Sequence, residues 1–268
     1  TEEEYDDLVG LLKSKKNVIL QGPPGVGKTF IAERLAYSMI GSKNKERVMM
    51  IQFHQSYSYE DFIEGFRPSA NGGFEIRKGP FYEFCKKAER DPDHEYFFII
   101  DEINRGNISK IFGELFMLIE NDKRGIELPL LYSREPFSVP SNVYIIGTMN
   151  TADRSLALMD YALRRRFAFY TIKPAFDSDT FKKNYLNNNP KLQRLIEVVK
   201  EMNEAIAKDD LLGEGFCVGH SYFCRENIDD ATLNQIVEYE LIPLINEYWF
   251  DDRSKIRQWA ERLRSAIR

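Results

Sequence analysis

The sequence predicts an α/β fold: helices around a mostly parallel, five-stranded sheet, followed by a C-terminal helical lid. Short apolar runs alternate with helical stretches over the first two-thirds of the chain, as is typical of parallel sheets covered on both faces. After Lys173-Pro174 the apolar residues follow helical spacing alone. We therefore expect an α/β subdomain at residues 1–172 and a helical lid subdomain at residues 173–268.

Five runs of apolar, β-branched and aromatic residues predict the strands of the sheet, at residues 17–22, 47–53, 95–101, 143–150 and 167–172. Helices are expected between them, at residues 29–40, 80–91, 109–121 and 155–166. Two further segments interrupt the alternation. Residues 72–79 predict a hairpin or loop, and residues 126–140, with three prolines, predict an extended excursion before the fourth strand. In the lid, helical spacing covers residues 192–206, 233–245 and 253–267.

The composition argues against several classes of protein. With 37 basic and 42 acidic side chains, the net charge of −5 does not favour binding of nucleic acid by bulk electrostatics. Cys85, Cys217 and Cys224 are widely spaced, which argues against a zinc or disulfide motif and for a reducing, cytoplasmic location. No apolar run reaches the length of a membrane span. The start, TEEEYDDL, has no initiator Met and no signal region, so we expect a piece of a longer protein.

The strongest motif is Gly22-Pro-Pro-Gly-Val-Gly-Lys28-Thr29, which matches the phosphate-loop pattern G-x-x-x-x-G-K-[ST]. It follows a predicted strand and opens a predicted helix, which is the context that the motif requires. Glycines let backbone N–H groups surround a phosphate, and the start of a helix adds positive potential. Lys28 can bridge the β- and γ-phosphates, and the Thr29 hydroxyl can bind Mg²⁺. The alternative is a glycine-rich turn that happens to contain a lysine.

Asp101 and Glu102 supply the acidic half of such a site. They end the run Phe97-Phe-Ile-Ile, at the edge of an open α/β sheet where ligands bind. We expect Asp101 to hold Mg²⁺, mostly through water, and Glu102 to polarise the attacking water. An acidic pair after a strand is weak evidence by itself, because solvated carboxylates are common there. The phosphate loop upstream strengthens the interpretation.

Asn150 and an arginine run complete the candidate site. Asn150 ends the predicted strand 143–150 and can position the attacking water or contact the γ-phosphate, or it can cap a turn. Arg164, Arg165 and Arg166 end the predicted helix 155–166. They can interact with the helix dipole, or one can reach a neighbouring subunit's γ-phosphate as an arginine finger.

These motifs, followed by a helical lid, resemble an AAA+ ATPase-type module with a P-loop αβα sandwich. More narrowly, they resemble the McrB family of motor subunits in methylcytosine-dependent restriction systems. The resemblance covers essentially the whole chain and is carried by residues 53–62, 101–105, 149–155, 161–167 and 219–223. The stretch Met149-Asn-Thr-Ala-Asp-Arg-Ser155 is the most specific part.

The resemblance implies a Mg²⁺-dependent GTPase, with GTP as substrate, that forms a hexameric ring, joins the nuclease subunit McrC and translocates DNA. In the terms used for this family, the phosphate loop is the Walker A motif, and Asp101 and Glu102 belong to the Walker B motif. Asn150 is sensor 1, and Arg164 and Arg165 lie in the finger region, without a decision between them. The catalytic candidates are thus Glu102, Asn150, Arg164 and Arg165, and the metal candidates are Thr29 and Asp101.

The candidates for contact with the nucleotide are Gly22, Pro23, Pro24, Gly25, Val26, Gly27, Lys28, Thr29, Phe30, Asp153 and His220. Asp153 and Arg154 belong to the family signature and are expected to brace the site or the subunit interface. His220 can lie near the nucleotide or be a hydrogen-bonded structural histidine. The sequence departs from the family at Gly106, where alanine is expected, and does not contain the family's N-terminal region that reads modified DNA.

Two other functions stay open: an AAA+ ATPase of the MoxR or dynein-like group acting on protein clients, and a nucleotide-gated scaffold with negligible turnover. Glu102 and the arginine run favour an enzyme. The preference for GTP rests on the resemblance alone, because the N-K-x-D guanine motif is absent. Residues 150–153 resemble that motif superficially, yet their strand should end beside Asp101, near the γ-phosphate. Guanine-reading groups are expected before Asn17 or around residues 213–220.

Overall fold

A computed structural model describes residues 2–70, 72–153, 161–186 and 189–268 of the chain. The fold divides into two compact units. The first, called here the sheet unit, comprises Thr1–Gln21, Lys28–Met149 and Asp153–Thr171. The second, called here the helical unit, comprises Gly22–Gly27, Asn150–Ala152 and Ile172–Arg268.

A parallel sheet forms the centre of the sheet unit. The strands in the described residues are β1 (Asn17–Gly22), β2 (Val48–Gln52), β3 (Glu64–Pro68), β4 (Phe74–Lys78), β5 (Tyr96–Asp101), β6 (Leu128–Pro129), β7 (Pro136–Phe137), β8 (Val143–Asn150) and β9 (Ala168–Thr171). Five of them form one sheet in the order β2-β5-β8-β1-β9, and the pairs β2–β5, β5–β8 and β1–β9 are parallel. The predicted five-stranded α/β fold is therefore confirmed.

The apolar runs that predicted β5 and β8 are buried, whereas β2 and β9, at the edges of the sheet, are only partly buried. Every residue of β5 before Asp101 is buried, and so is every residue of β8 before Asn150. Strands covered on both faces need such continuous apolar sequence, because neither face meets water. β5 ends in Asp101, and the last three residues of β8 include Thr148 and Asn150, so these polar groups lie at one edge of the sheet.

The helices of the sheet unit are α1 (Glu2–Lys15), α2 (Lys28–Ile40), α3 (Tyr59–Phe62), α4 (Pro80–Glu89), α5 (Ile108–Phe112), α6 (Leu115–Leu118) and α7 (Tyr161–Arg166). The prediction of one helix at residues 109–121 is wrong. Gly113 adopts φ 52° and ψ −131° and separates α5 from α6. A Cβ at Gly113 would lie 2.9 Å from the Tyr59 ring, so this break needs glycine. The predicted helix 155–166 begins outside the described residues, which include its end as α7.

Both segments that interrupted the predicted alternation form hairpins. Strands β3 and β4 pair antiparallel, as do the short strands β6 and β7. The fully buried Glu64 carboxylate joins the two hairpins, because it accepts hydrogen bonds from Lys78 Nζ and from the backbone N–H groups of Tyr132 and Ser133. Phe62 packs beneath them against Phe81 and Phe112, with ring centroids 4.9 Å apart in both pairs.

The helical unit contains α8 (Asp179–Phe181), α9 (Pro190–Ala207), α10 (Asp230–Gln235), α11 (Ile242–Tyr248) and α12 (Arg253–Ala266). All of these helices except α11 begin at a side chain that accepts a backbone N–H, as Asn189 does for α9 and Asp252 does for α12. The apolar stripe of α9, predicted at residues 192–206, is buried. The C-terminal helical lid is therefore confirmed. None of the helices in the described residues is long and apolar enough to cross a membrane.

Candidate active site

The Asp101 carboxylate links three elements of the sheet unit. Asp101 ends β5, and its Oδ1 accepts a hydrogen bond from the Thr29 hydroxyl of α2 at 2.7 Å. The same oxygen accepts from the Thr148 hydroxyl of β8 at 2.6 Å. Hydrogen bonds to a carboxylate are about twice as strong as neutral ones. The structure therefore brings together Thr29 and Asp101, the two residues predicted as metal ligands.

These two residues fit a magnesium ion. A hydroxyl and a carboxylate are the hard oxygen donors that Mg²⁺ prefers. Mg²⁺ in nucleotide sites usually keeps several waters and takes one or two carboxylates besides the phosphates. Thr29 and Asp101 would hold the ion, and the ion would neutralise charge on the phosphates.

Glu102 has an unusual backbone conformation. Its φ of 51° and ψ of 45° lie in the left-handed region, which non-glycine residues rarely adopt. Its N–H donates to the Thr148 hydroxyl at 3.2 Å, and its side chain is 13% exposed. Burial raises the pKa of Glu102, an effect that Asp101 increases and that Arg105 and Lys28 oppose. A nearly buried carboxylate beside Asp101 is suited to accept a proton from water.

Lys28 is a buried cation of the sheet unit. It is the first residue of α2, and only 7% of it is exposed. Burial lowers the pKa of Lys28 to about 8, although the Glu102 and Asp101 carboxylates oppose this change. The ammonium group therefore lies in the same electrostatic environment as both acidic residues, where a phosphate group would compensate its charge.

Arg105 lies between two carboxylates of the sheet unit. Its Nε is 3.5 Å from Glu102 Oε2, and a terminal nitrogen is 3.8 Å from Asp153 Oδ2. The bracing role of Asp153 stays a prediction. Arg154, the next residue of the signature, lies outside the described residues.

The three arginines that end α7 differ in their surroundings. Arg166 Nε donates to the Phe116 carbonyl at 2.7 Å, and its guanidinium pairs with Glu120 at 2.9 Å. Arg165 is 80% exposed and lies 3.9 Å from Glu120. Arg164 is exposed, and its side chain has no hydrogen bond or ion pair with any described residue. Arg166 therefore has a structural role, whereas Arg164 and Arg165 are available to another molecule.

Within the helical unit, the loop of residues 22–27 is bonded to the segment that contains His220. The Pro24 carbonyl accepts from Gly219 N–H at 3.1 Å, and the Gly25 carbonyl accepts from Ser221 N–H at 2.8 Å. A Cβ at Gly219 would lie 2.0 Å from the Gly25 backbone, so the two chains touch directly. Thr151 joins the same cluster, because its N–H donates to the Gly22 carbonyl at 3.1 Å. Residues 219–221 thus fix the loop's conformation through its carbonyl groups.

The remaining candidates have identified places. His220 Nδ1 accepts from the Ala175 N–H at 3.1 Å, and burial lowers the pKa of His220, so its ring is neutral at pH 7. Phe30 is 60% exposed, with the Arg34 guanidinium 4.9 Å from its ring centre. Asn150 is the last residue of β8. The roles of His220, Phe30 and Asn150 at a nucleotide stay predictions.

Two residues of the site were missed in the sequence. Thr148 precedes Asn150 by two positions and therefore lies on the same face of β8, so strand alternation could have revealed it. Arg105 follows Glu102 by three positions. This spacing indicates an ion pair between the two side chains only when the residues between them are known to form a 3-10 turn. The structure also explains the glycine at position 106, because a Cβ there would lie 2.5 Å from the Ile111 side chain and 3.0 Å from the Phe53 side chain.

Comparison with known proteins identifies the family. The AAA domain of the dynein-related subfamily matches residues 17–167, and the α-helical lid domain of McrB matches residues 194–257. The chain therefore belongs to the AAA family, in its dynein-related subfamily. Its lid is of the McrB type, and the resemblance to McrB is confirmed by 52% identity to the EcoKMcrB subunit of the type IV methyl-directed restriction enzyme of Escherichia coli K12.

That alignment covers 98% of this chain and 60% of the Escherichia coli subunit, so the chain spans about three-fifths of its relative. A more distant relative is YdiS, a component of the type II restriction enzyme BsuMI of Bacillus subtilis 168. It is 26% identical over 75% of this chain and 72% of its own length. YehL of Escherichia coli K12, an uncharacterized protein, is 31% identical over 62% of this chain and 44% of its own length.

The contact between Gly219 and the loop generates a prediction. Gly219→Ala places a methyl group against the Gly25 backbone, and such overpacking costs about 1–3 kcal/mol. We expect affinity for a non-hydrolysable GTP analogue, measured by isothermal titration calorimetry, to fall by about tenfold (about 1.4 kcal/mol). Gly10→Ala is the control, since a Cβ at Gly10 meets nothing within 4 Å. Equal affinity of Gly219→Ala and wild type would contradict a role of residues 219–221 in shaping the loop.

Proposed function

We propose that this chain is the Mg²⁺-dependent GTPase motor module of a modification-dependent restriction endonuclease. It binds and hydrolyses GTP, assembles into a hexameric ring and, with an McrC-type nuclease subunit, translocates DNA. The observation that carries the proposal is the cluster of Thr29, Asp101, Thr148 and Glu102 at one edge of the sheet, in a chain with 52% identity to an McrB subunit. The free cysteines support action in a reducing cytoplasm.

The proposed reaction gives the candidate residues separate roles. Lys28 binds the β- and γ-phosphates, while Thr29 and Asp101 hold Mg²⁺. Glu102 accepts a proton from the attacking water, and Asn150 positions that water. The phosphate loop supplies backbone N–H groups, and an arginine of a neighbouring subunit stabilises charge on the γ-phosphate.

The proposed preference for GTP is supported by the relative rather than by a guanine motif. Asp153, which superficially resembles the guanine-binding aspartate, is instead engaged by Arg105 at 3.8 Å. This supports a place for Asp153 near the catalytic carboxylate. We propose that backbone carbonyls around residues 213–220 accept from the guanine N–H groups. Adenine lacks those donors, and each polar group left unpaired costs about 1–3 kcal/mol.

A second candidate, an ATPase acting on a protein client, is favoured by the match to the dynein-related subfamily. Turnover of GTP and ATP by one purified sample separates the functions. We expect GTP to be preferred by about tenfold or more, as one unpaired polar group would produce. Glu102→Gln should bind GTP without hydrolysis, since an amide does not accept the proton, and Lys28→Ala should lose binding.

The outcomes of this assay are distinct. Preferred hydrolysis of ATP would support the ATPase function in place of the GTPase function. Binding of either nucleotide without turnover would indicate a scaffold. Turnover by Glu102→Gln within about threefold of wild type, far short of a general-base effect, would show that Glu102 is not the base.

The arginine finger is predicted to be Arg164, because Arg166 is engaged within its own chain and Arg165 lies near Glu120. Hydrolysis should rise with protein concentration as subunits assemble. Arg164→Ala should reduce the rate by about 10³–10⁵, and mixing it with Lys28→Ala subunits should restore part of it. Arg165→Ala, which removes the neighbouring arginine instead, is the matched variant for comparison. A greater loss in Arg165→Ala would make that residue the finger, and absence of rescue in every mixture would exclude action between subunits.

A further inference from the structure

The backbone of Glu102 adopts a left-handed conformation that non-glycine residues disfavour. The left-handed φ of 51° is sparsely populated for a residue with a long side chain, and such outliers persist only where their surroundings impose them. The backbone is fixed on one side by the hydrogen bond from Glu102 N–H to the Thr148 hydroxyl. That bond does not restrain the carboxylate, which lies three side-chain torsions further out. A second contact is needed to hold the reacting group.

Arg105 supplies that contact through a single turn of 3-10 helix. The helix runs from Ile103 to Arg105, directly after Glu102, and Arg105 N–H donates to the Glu102 carbonyl at 2.9 Å. In a 3-10 helix residues three positions apart lie above one another. The turn therefore places the Arg105 guanidinium against the Glu102 carboxylate, with Nε 3.5 Å from Oε2.

The same guanidinium reaches Asp153, which follows the end of β8. Glu102 and Asp153 are 13% and 24% exposed, whereas Arg105 is 48% exposed. Two shielded carboxylates of like charge are thus separated by one cation that solvent reaches. The guanidinium fork allows contact with two acceptors at once, which the point charge of a lysine does less well.

We propose that Arg105 is a positioning residue that holds the Glu102 carboxylate in its reactive orientation and couples it to Asp153 at the end of β8. The proposal rests on the proposed function, in which Glu102 accepts the proton from water. Its consequence is that a change at Asp153 alters hydrolysis through Arg105 rather than through the nucleotide. A purely structural ion pair, half exposed as this one is, would leave the rate of the chemical step unchanged.

The test is steady-state GTP hydrolysis by the assembled protein with Arg105→Gln, Arg105→Lys and Asp153→Asn, singly and with Arg105→Gln combined with Asp153→Asn. We expect Arg105→Gln to lower kcat by about 100-fold, the cost of a displaced catalytic group. KM should stay within about twofold, because binding of the ground state is untouched. Arg105→Lys should recover part of the rate, and Asp153→Asn should have little further effect once Arg105 is changed.

Arg77→Gln is the control, because it removes an exposed ion pair with Glu75 on the β3–β4 hairpin and should leave hydrolysis unchanged. Thermal unfolding verifies that Arg105→Gln and the control are folded. If wild type hydrolyses nothing, the proposed function fails. If wild type is active, three results overturn this proposal alone: an unchanged kcat in Arg105→Gln, a loss confined to KM, or fully additive effects of Arg105→Gln and Asp153→Asn. Rescue of Arg105→Gln by Lys28→Ala subunits would also overturn it, by showing action on a neighbour.

Discussion

The arrangement of the candidate site depends on the two hydroxyl groups that donate to the Asp101 carboxylate. Because Thr29 lies in the first turn of α2 and Thr148 lies in β8, their bonds of 2.7 and 2.6 Å to Asp101 connect α2, β5 and β8 at one edge of the sheet. The Thr148 hydroxyl also accepts a hydrogen bond from the Glu102 N–H, so the same hydroxyl helps to fix the backbone position of Glu102. Loss of the Asp101 carboxylate would therefore disturb the proposed metal ligands and the proposed catalytic base, Glu102, together.

The charges of the site fit the proposed magnesium–nucleotide ligand. The Asp101 and Glu102 carboxylates interact with Lys28, and the Glu102 and Asp153 carboxylates interact with Arg105. Burial raises the pKa of Glu102 and lowers the pKa of Lys28, so both groups are penalised in their charged forms without nucleotide. In the proposed function, a magnesium–triphosphate complex would supply a cation for the carboxylates and an anion for Lys28. Its binding would relieve both penalties.

Much of this could be predicted from the sequence, because buried strands and phosphate loops have local signatures. The runs at residues 17–22 and 143–150 have the bounds of β1 and β8. The break at Gly113 was missed because it depends on the Tyr59 ring, which is distant in sequence. Thr148 and Arg105 were missed as site residues for a related reason: each acquires its role from a partner brought close by the sheet or by a 3-10 turn. The helix α1 escaped prediction because its charged sequence buries only Leu8 and Leu12.

The most direct test of the central role of Asp101 is the Mg²⁺ dependence of GTP hydrolysis by wild type and Asp101→Asn. The amide keeps the size of the side chain but lacks the charge that Mg²⁺ prefers. We predict that the Mg²⁺ concentration for half-maximal hydrolysis rises at least about tenfold, the lower end of losses at altered metal sites. Binding of metal-free GTP, which depends on Lys28 and the loop, should persist. An identical Mg²⁺ dependence in the two proteins would contradict the assignment of Asp101 as the organising carboxylate.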